Sequence, residues 1–145
     1  MILNPKKIVD AGIIICDNPD EQIQQNWIDI TLDFIEELQP TSRNINILCK
    51  NERVHIKRKK KEFNELNKIE LSFWTYDIVF NEKINIPNWM CAIIHTRSTL
   101  NRGWNFITSW LYDAWYKGII GGILHINAPI ILEKWVRLAQ IQFIK

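Results

Sequence analysis

The chain has 145 residues, 47% of them apolar, and a formal net charge of +2. That length supports one domain around one core, and the near balance of charge argues against an obligate acidic partner such as nucleic acid. No apolar run approaches the roughly 18 residues that would span a bilayer, and the opening MILNPKKIVDAGIIICDNP lacks a signal-peptide core and cleavage site, so a cytoplasmic protein that needs no membrane is expected.

In chain order, Asn4-Pro5 followed by KKIVDAG predicts a short N-terminal helix, capped by Asn4, with Pro5 at its first position and Gly12 ending it. From Trp27 onward, Ile28, Ile30, Leu32 and Phe34 alternate with Asp29, Thr31 and Asp33, the period-two pattern of a half-buried strand. Short apolar runs recur at 45–49, 69–73, 76–80, 90–94, 106–111, 119–126, 130–132 and 138–144, separated by polar turns. Many short strands of this kind predict an all-β sandwich or barrel. Neither repeats nor Gly/Ser linkers interrupt residues 1–145, so a single domain is expected.

Cys16, Cys49 and Cys91 are odd in number, widely spaced and without a C-x-x-C pair, which predicts neither a disulfide framework nor a zinc site but small buried or half-buried residues. His55, His95 and His125 fit no metal spacing. His95 lies two residues before Arg97 and is a candidate ligand neighbour, although a structural role suits it better. The one charge block, HIKRKKKE at 55–62, carries no interleaved aromatics and is followed by Glu65, so a solvated hairpin or loop is expected in preference to a phosphate-binding surface.

The richest stretch chemically is RSTLNRGWNFITSWLYDAWYKG at 97–118. Arg97 and Arg102 can pair with phosphate oxygens, Ser98 and Thr99 can donate to them, and Asp113 can orient a water or a sugar hydroxyl. On residue types alone, a solvated turn carries the same groups equally well.

R-S-T-L-N-R, then D-A-x-Y-K-G, then R-L-A-Q-I-Q-F near the end, resembles the dUTPase/dCTP deaminase superfamily, and within it the archaeal-type dUTPase branch. QIQQNWIDITLD (22–33) is similar to that family's first motif, usually Q-x-Q-x-N-G-I-D-L-T-L; WTYDIVFNEKINIPN (74–88) resembles the lead into the arginine motif, and LEKWVRLAQIQF (132–143) the fourth motif. The likeness runs from Gln22 nearly to the end, weakest over 40–69, and rests on the order and spacing of the motifs together.

The resemblance implies a jelly-roll-like distorted β-barrel of the dUTPase type and hydrolysis of dUTP to dUMP and pyrophosphate, with Mg²⁺ bound through the triphosphate and no protein metal site. Carried over residue by residue, Asp113 would position the attacking water and accept from the 3′-hydroxyl, and Tyr116 would pack beneath the deoxyribose. Arg97, Ser98, Thr99 and Arg102 would hold phosphates, Arg102 acting with Asp113 in catalysis, and Gln140 would reach the phosphate chain. Asp29 matches the first-motif Asp, with either a metal-water or a structural role. The related deaminases use a Glu about ten residues after the Asp, where this chain has Ile123, so hydrolysis without deamination is the expectation; a dCTP deaminase-like enzyme and an inactive nucleotide-binding or regulatory module are the alternatives. A homotrimer with shared sites is implied too, and because Lys145 directly follows the last strand, a Gly-rich C-terminal arm over the site is not expected.

One departure repeats: tryptophan stands where the family has glycine, at Trp27, Trp115 and Trp135 and by extension at Trp74 and Trp110. Glycine serves such positions because the backbone turns through φ > 0 or approaches a neighbour closely. The chain has 5 Gly and 7 Trp; 5 Gly alone is low against the usual share of about 7%, or roughly ten residues, whereas the two together are ordinary. Either the gene uses UGA as a glycine codon, as some bacterial lineages do, or the protein is a divergent one whose aromatics fill the core. The first reading expects at least two of Trp27, Trp74, Trp110, Trp115 and Trp135 to be exposed, in a turn, or in the space of a nucleotide or neighbouring subunit.

Overall fold

A computed structural model describes residues 1–39 and 56–145. The predicted strand at 45–49, Cys49 and His55 lie outside the described residues. The N-terminal helix is present as α1 (Pro5–Asp10): Asn4 Oδ1 accepts from Lys7 N at 3.2 Å, Pro5 opens the first turn, and Gly12 closes the helix with φ +67. Strand β1 (Ile14–Ile15) and a one-turn helix α2 (Pro19–Gln22), neither expected from the sequence, lead into β2 (Ile28–Leu38).

The remaining strands are β3 (Arg58–Lys61), β4 (Lys68–Leu71), β5 (Trp74–Asn85), β6 (Cys91–Thr96), β7 (Phe106–Ile107), β8 (Trp110–Tyr112), β9 (Lys117–Ile126), β10 (Ile130–Glu133) and β11 (Arg137–Ile144). A short helix, α3 (Ser98–Arg102), stands between β6 and β7. The main sheet runs β7-β9-β5-β2-β11-β6-β8 and curls into a half-barrel; β1 adds to β5, β3 adds to β2, and β10 pairs with β4 separately. The predicted all-β class and N-terminal helix are therefore observed. Among the described residues no helix is long and apolar enough to cross a membrane.

The core is aliphatic. Ile28, Ile30, Leu32, Ile35, Ile78, Ile94, Ile120 and Leu124 are fully buried, and Phe80 is the largest side chain among the fully buried. Strict alternation on β2 fails after Leu32, because the pairing with β5 shifts register between Leu32 and Phe34. That bulge turns Ile35 inward and leaves Phe34 half-buried under Lys60, 4.8 Å above its ring. A second shift on β5, between Val79 and Lys83, bends the same crossing against β9.

Asn81 and Glu82 occupy this second bulge and latch it to β2. Asn81 Nδ2 donates to Thr31 Oγ1 at 3.0 Å, and the buried Glu82 carboxylate accepts from Thr31 N at 2.9 Å, Thr31 Oγ1 at 2.7 Å and Gln22 Nε2 at 2.6 Å. Burial raises the Glu82 pKa more than these donors lower it. Burial likewise pushes the half-buried Cys16 thiol up to about 12, helped by the charges of Glu82 and Asp17, which makes it inert; Cys91 is half-buried too.

Within the basic run, residues 58–61 form β3, a largely exposed strand that pairs antiparallel with the preceding strand as one arm of a hairpin. β3 lies against β2, with Lys60 opposite Glu36 and Lys59 opposite Glu37. Arg58 Nε reaches Asp77 at 2.6 Å, and Lys61 Nζ reaches Glu37 at 3.5 Å. Cross-strand carboxylates thus offset much of its charge, a pairing hidden in a linear reading because Glu36 and Glu37 lie on another strand.

A raised carboxyl pKa in the folded state means that the native form holds the proton more tightly than the unfolded chain. Its contribution to stability is full below the unfolded value of about 4.3 and is lost as pH rises through the higher folded value. Glu82→Gln should remove that fall in stability with pH. It should also destabilise by about 1–3 kcal/mol at all pH values, because its amide NH₂ must face Thr31 or Gln22, which donate already. Urea melts of both proteins from acid to neutral pH test this; parallel pH profiles would refute the role given to Glu82.

Candidate functional site

Three neighbouring strands converge on one buried carboxylate. Asp29 on β2 is 1% exposed, where alternation had placed it facing out. Gln140 of β11 lies directly opposite, its Nε2 at 3.4 Å from Asp29 Oδ1. Arg137 Nη1 stands 3.4 Å from Oδ2, and Arg97 Nε, just beyond β6, stands 3.5 Å from Oδ1. A buried charge is tolerated only when paired, and here two guanidinium groups and an amide supply the pairing. Asp29 thus ties β2 to β11 and to the end of β6.

Arg137 had no role in the sequence reading. In a regular strand, residues three apart face opposite sides, so Arg137 and Gln140 should not meet the same group. An irregularity in the β11–β2 register between Arg137 and Ala139 brings both to Asp29. Arg97 and Arg137 then line a cavity of about 500 Å³ together with Asp17, Glu21, Thr31 and Trp135.

Arg97 is the N-cap of α3, with its backbone N–H donating to Leu138 O at 3.1 Å and its Nη1 to Arg137 O at 3.2 Å. Ser98 and Thr99 are exposed on the first turn, and Arg102 is exposed at the other end. Arg97 is thus fixed by the sheet, whereas Arg102 makes no ion pair among the described residues. His95 is exposed on β6, opposite Gln140. His125 is structural: Thr108 Oγ1 sits 2.9 Å from its Nε2, and Phe106 stacks on it at 4.6 Å.

Asp113 and Tyr116 begin and end one tight turn, Asp113-Ala114-Trp115-Tyr116, closed by Tyr116 N donating to Asp113 O at 3.2 Å. Asp113 is exposed. The turn is docked on the chain after β5 by Trp115 N to Ile86 O and Ile86 N to Tyr116 O, at 3.0 and 2.9 Å. Tyr116 donates its hydroxyl to Ile119 O at 2.8 Å, so its ring, not its oxygen, is what it offers a ligand. That ring leans on Tyr112, centroids 4.9 Å apart. Tyr112 Oη in turn donates to Gly121 O at 2.8 Å and accepts from Gly121 N at 2.9 Å; burial, outweighing that hydrogen bond, pushes its phenol up to about 12. Tyr112, a supporting residue the motif reading passed over, lines a cavity of about 350 Å³ with Tyr116, Trp110, Ile123, Asp77 and Arg58.

Arg97 and Tyr116 therefore line two different cavities of one chain. Among the described residues no group of three or more His, Cys, Asp or Glu could hold a metal ion.

No protein-family model matches the chain. It is similar to the probable deoxyuridine 5'-triphosphate nucleotidohydrolases of three archaea. With that of Methanosarcina mazei it shares 29% identity over 143 residues, covering 95% of this chain and 82% of the relative. For Archaeoglobus fulgidus the figures are 29% over 151 residues, 97% and 83%; for Halobacterium salinarum they are 26% over 137 residues, 91% and 83%. Among solved structures, the 2'-deoxycytidine 5'-triphosphate deaminase of Agrobacterium tumefaciens superposes with a TM-score of 0.72 at 19% identity over 98% of this chain; the match spans 47% of that longer chain, and the likeness is one of fold. The motif order, the curled sheet and these relatives agree in their likeness to the dUTPase/dCTP deaminase superfamily.

Proposed function

We propose that the protein hydrolyses dUTP to dUMP and pyrophosphate. The observation that carries the reading is the Asp113–Tyr116 turn, which presents an exposed carboxylate and a tyrosine face at its two ends, in a chain whose curated relatives bear the name of that activity. In this reading Asp113 orients the attacking water and accepts from the sugar 3′-hydroxyl. The Tyr116 ring packs under the deoxyribose and leaves no room for a 2′-hydroxyl. Arg97 uses only part of its donor set on Asp29 and Arg137, so its remaining N–H groups can take phosphate oxygens, with Ser98, Thr99, Arg102 and Gln140 completing the cradle. Mg²⁺ carried on the triphosphate would neutralise charge that builds on the phosphates. Because Arg97 and Tyr116 line separate cavities, the complete site is best built from neighbouring copies, in a homotrimer with shared sites.

Deamination is disfavoured by the residues of the smaller cavity. Ile123 stands there in place of a proton-carrying Glu, and the cavity's carboxylate, Asp77, is held by Arg58 at 2.6 Å. A binding module without catalysis is favoured by one observation, the Trp110 indole on the wall of that same cavity.

Pyrophosphate should be released from dUTP in the presence of Mg²⁺, with UTP and dCTP turned over far more slowly. Equal rates on UTP would remove Tyr116 as the sugar filter, and ammonia from dCTP would refute the argument from Ile123. Asp113→Asn should leave nucleotide affinity within about tenfold and lower kcat by at least about 10²-fold. An unchanged kcat would exclude Asp113 from the mechanism.

A further inference from the structure

Among the described residues, four that are not glycine have a left-handed backbone: Asn67, Trp104, Trp115 and Trp135. Asn tolerates that region through its short polar side chain, whereas for a bulky residue it is a genuine outlier. Three of the four being one rare residue type calls for a common cause.

Each of the three tryptophans occupies the glycine slot of a named motif. At the end of α3, Trp104 N donates to Asn101 O at 3.0 Å and Asn105 N to Leu100 O at 3.2 Å, the paired bonds of a Schellman cap, with Trp104 at φ +67 in the position glycine usually fills. The chain contains its own control. α1 ends in the same motif, Gly12 N to Val9 O at 2.9 Å and Ile13 N to Ile8 O at 3.2 Å, and there the residue at φ +67 is Gly12. Trp115, at φ +70, is the third residue of the turn closed by Tyr116 N to Asp113 O. Trp135, at φ +66, is the third residue of the turn closed by Val136 N to Glu133 O at 3.2 Å. With the preceding residue at negative φ, both are turns of the type that needs glycine at that position.

The indoles repay little of this strain by packing, the contact of Lys134 Nζ 5.1 Å over the Trp135 ring being a modest one. Trp104, Trp115 and Trp135 are 76%, 74% and 54% exposed. Trp74, Trp89 and Trp110 are exposed as well, and Trp27, half-buried, carries the one buried side-chain nitrogen or oxygen without a hydrogen-bond partner among the described residues. No tryptophan belongs to the aliphatic core, although large aromatics ordinarily dominate core burial. The reading in which divergent aromatics fill the core is thereby overturned, and the expectation that at least two of the five family-glycine positions would be exposed or in turns is met at Trp74, Trp110, Trp115 and Trp135. Trp89 and Trp104 extend it to positions the motif comparison did not reach.

We infer that the functional polypeptide carries glycine at all seven tryptophan positions, the codon shared by them being decoded as glycine in the source organism. In that form the Trp110 indole leaves the wall of the smaller cavity and the Trp115 indole leaves the turn beside Tyr116.

Reading the seven codons and sequencing peptides of the native protein tests the inference directly. The expected result is UGA at every position and glycine in every peptide; UGG at 104, 115 or 135, or tryptophan in a native peptide, overturns it. An independent test uses recombinant chains. Trp104→Gly, Trp115→Gly and Trp135→Gly should each shift the unfolding equilibrium toward the native state by about three- to tenfold, and Gly12→Trp in the matching cap should shift it the other way by a similar factor. Loss of stability in all three glycine variants would overturn the backbone argument.

Discussion

The curl of the sheet depends on a buried carboxylate. Glu82 sits inside a bulge of β5, and its two oxygens are taken by Thr31 of β2 and by Gln22 of α2. A buried acid left without donors would be costly, so the bulge, the strand crossing and the helix before β2 are tied to a single solution. Register shifts in the β2–β5 and β5–β9 pairings add local bend and twist to the sheet around β5.

Asp29 uses the frame so formed. It is one strand position before Ile30 on the same β2, and its carboxylate collects side chains from β11 and from the end of β6. The arginine pair is rigid for the same reason that Asp29 can be buried: each requires the other. Sites held by a packed scaffold can aim charge at a ligand without reorganising on binding, and Arg97 has that character while Arg102, at the free end of α3, does not.

The left-handed turns matter to the site as much as to the fold. Two of the three place a tryptophan at the edge of a cavity, Trp115 before Tyr116 and Trp135 before Val136-Arg137. A turn that only glycine adopts without strain lets the backbone pass close to a ligand or a neighbouring chain. An indole at the same place projects into that space, so backbone conformation and access to the site are two aspects of one constraint.

By itself the amino-acid sequence determined the all-β class, the N-terminal helix with its Asn4 cap and Gly12 stop, most of the strands, and the order of the motif residues, because helix caps, two-residue periodicity and motif spacing are local properties. Tertiary structure alone decided where the alternation breaks on β2 and why Phe34 yields its place to Ile35, since a bulge depends on the partner strand. It made Arg137 a partner of Asp29, turned the basic run into a strand facing Glu36 and Glu37, and folded the residues after Arg97 into α3. These outcomes rest on register between strands distant in sequence, and no window of neighbouring residues contains that register. The left-handed tryptophans join both levels: their number was visible in the composition, and the backbone that rejects them is set by turns the fold closes.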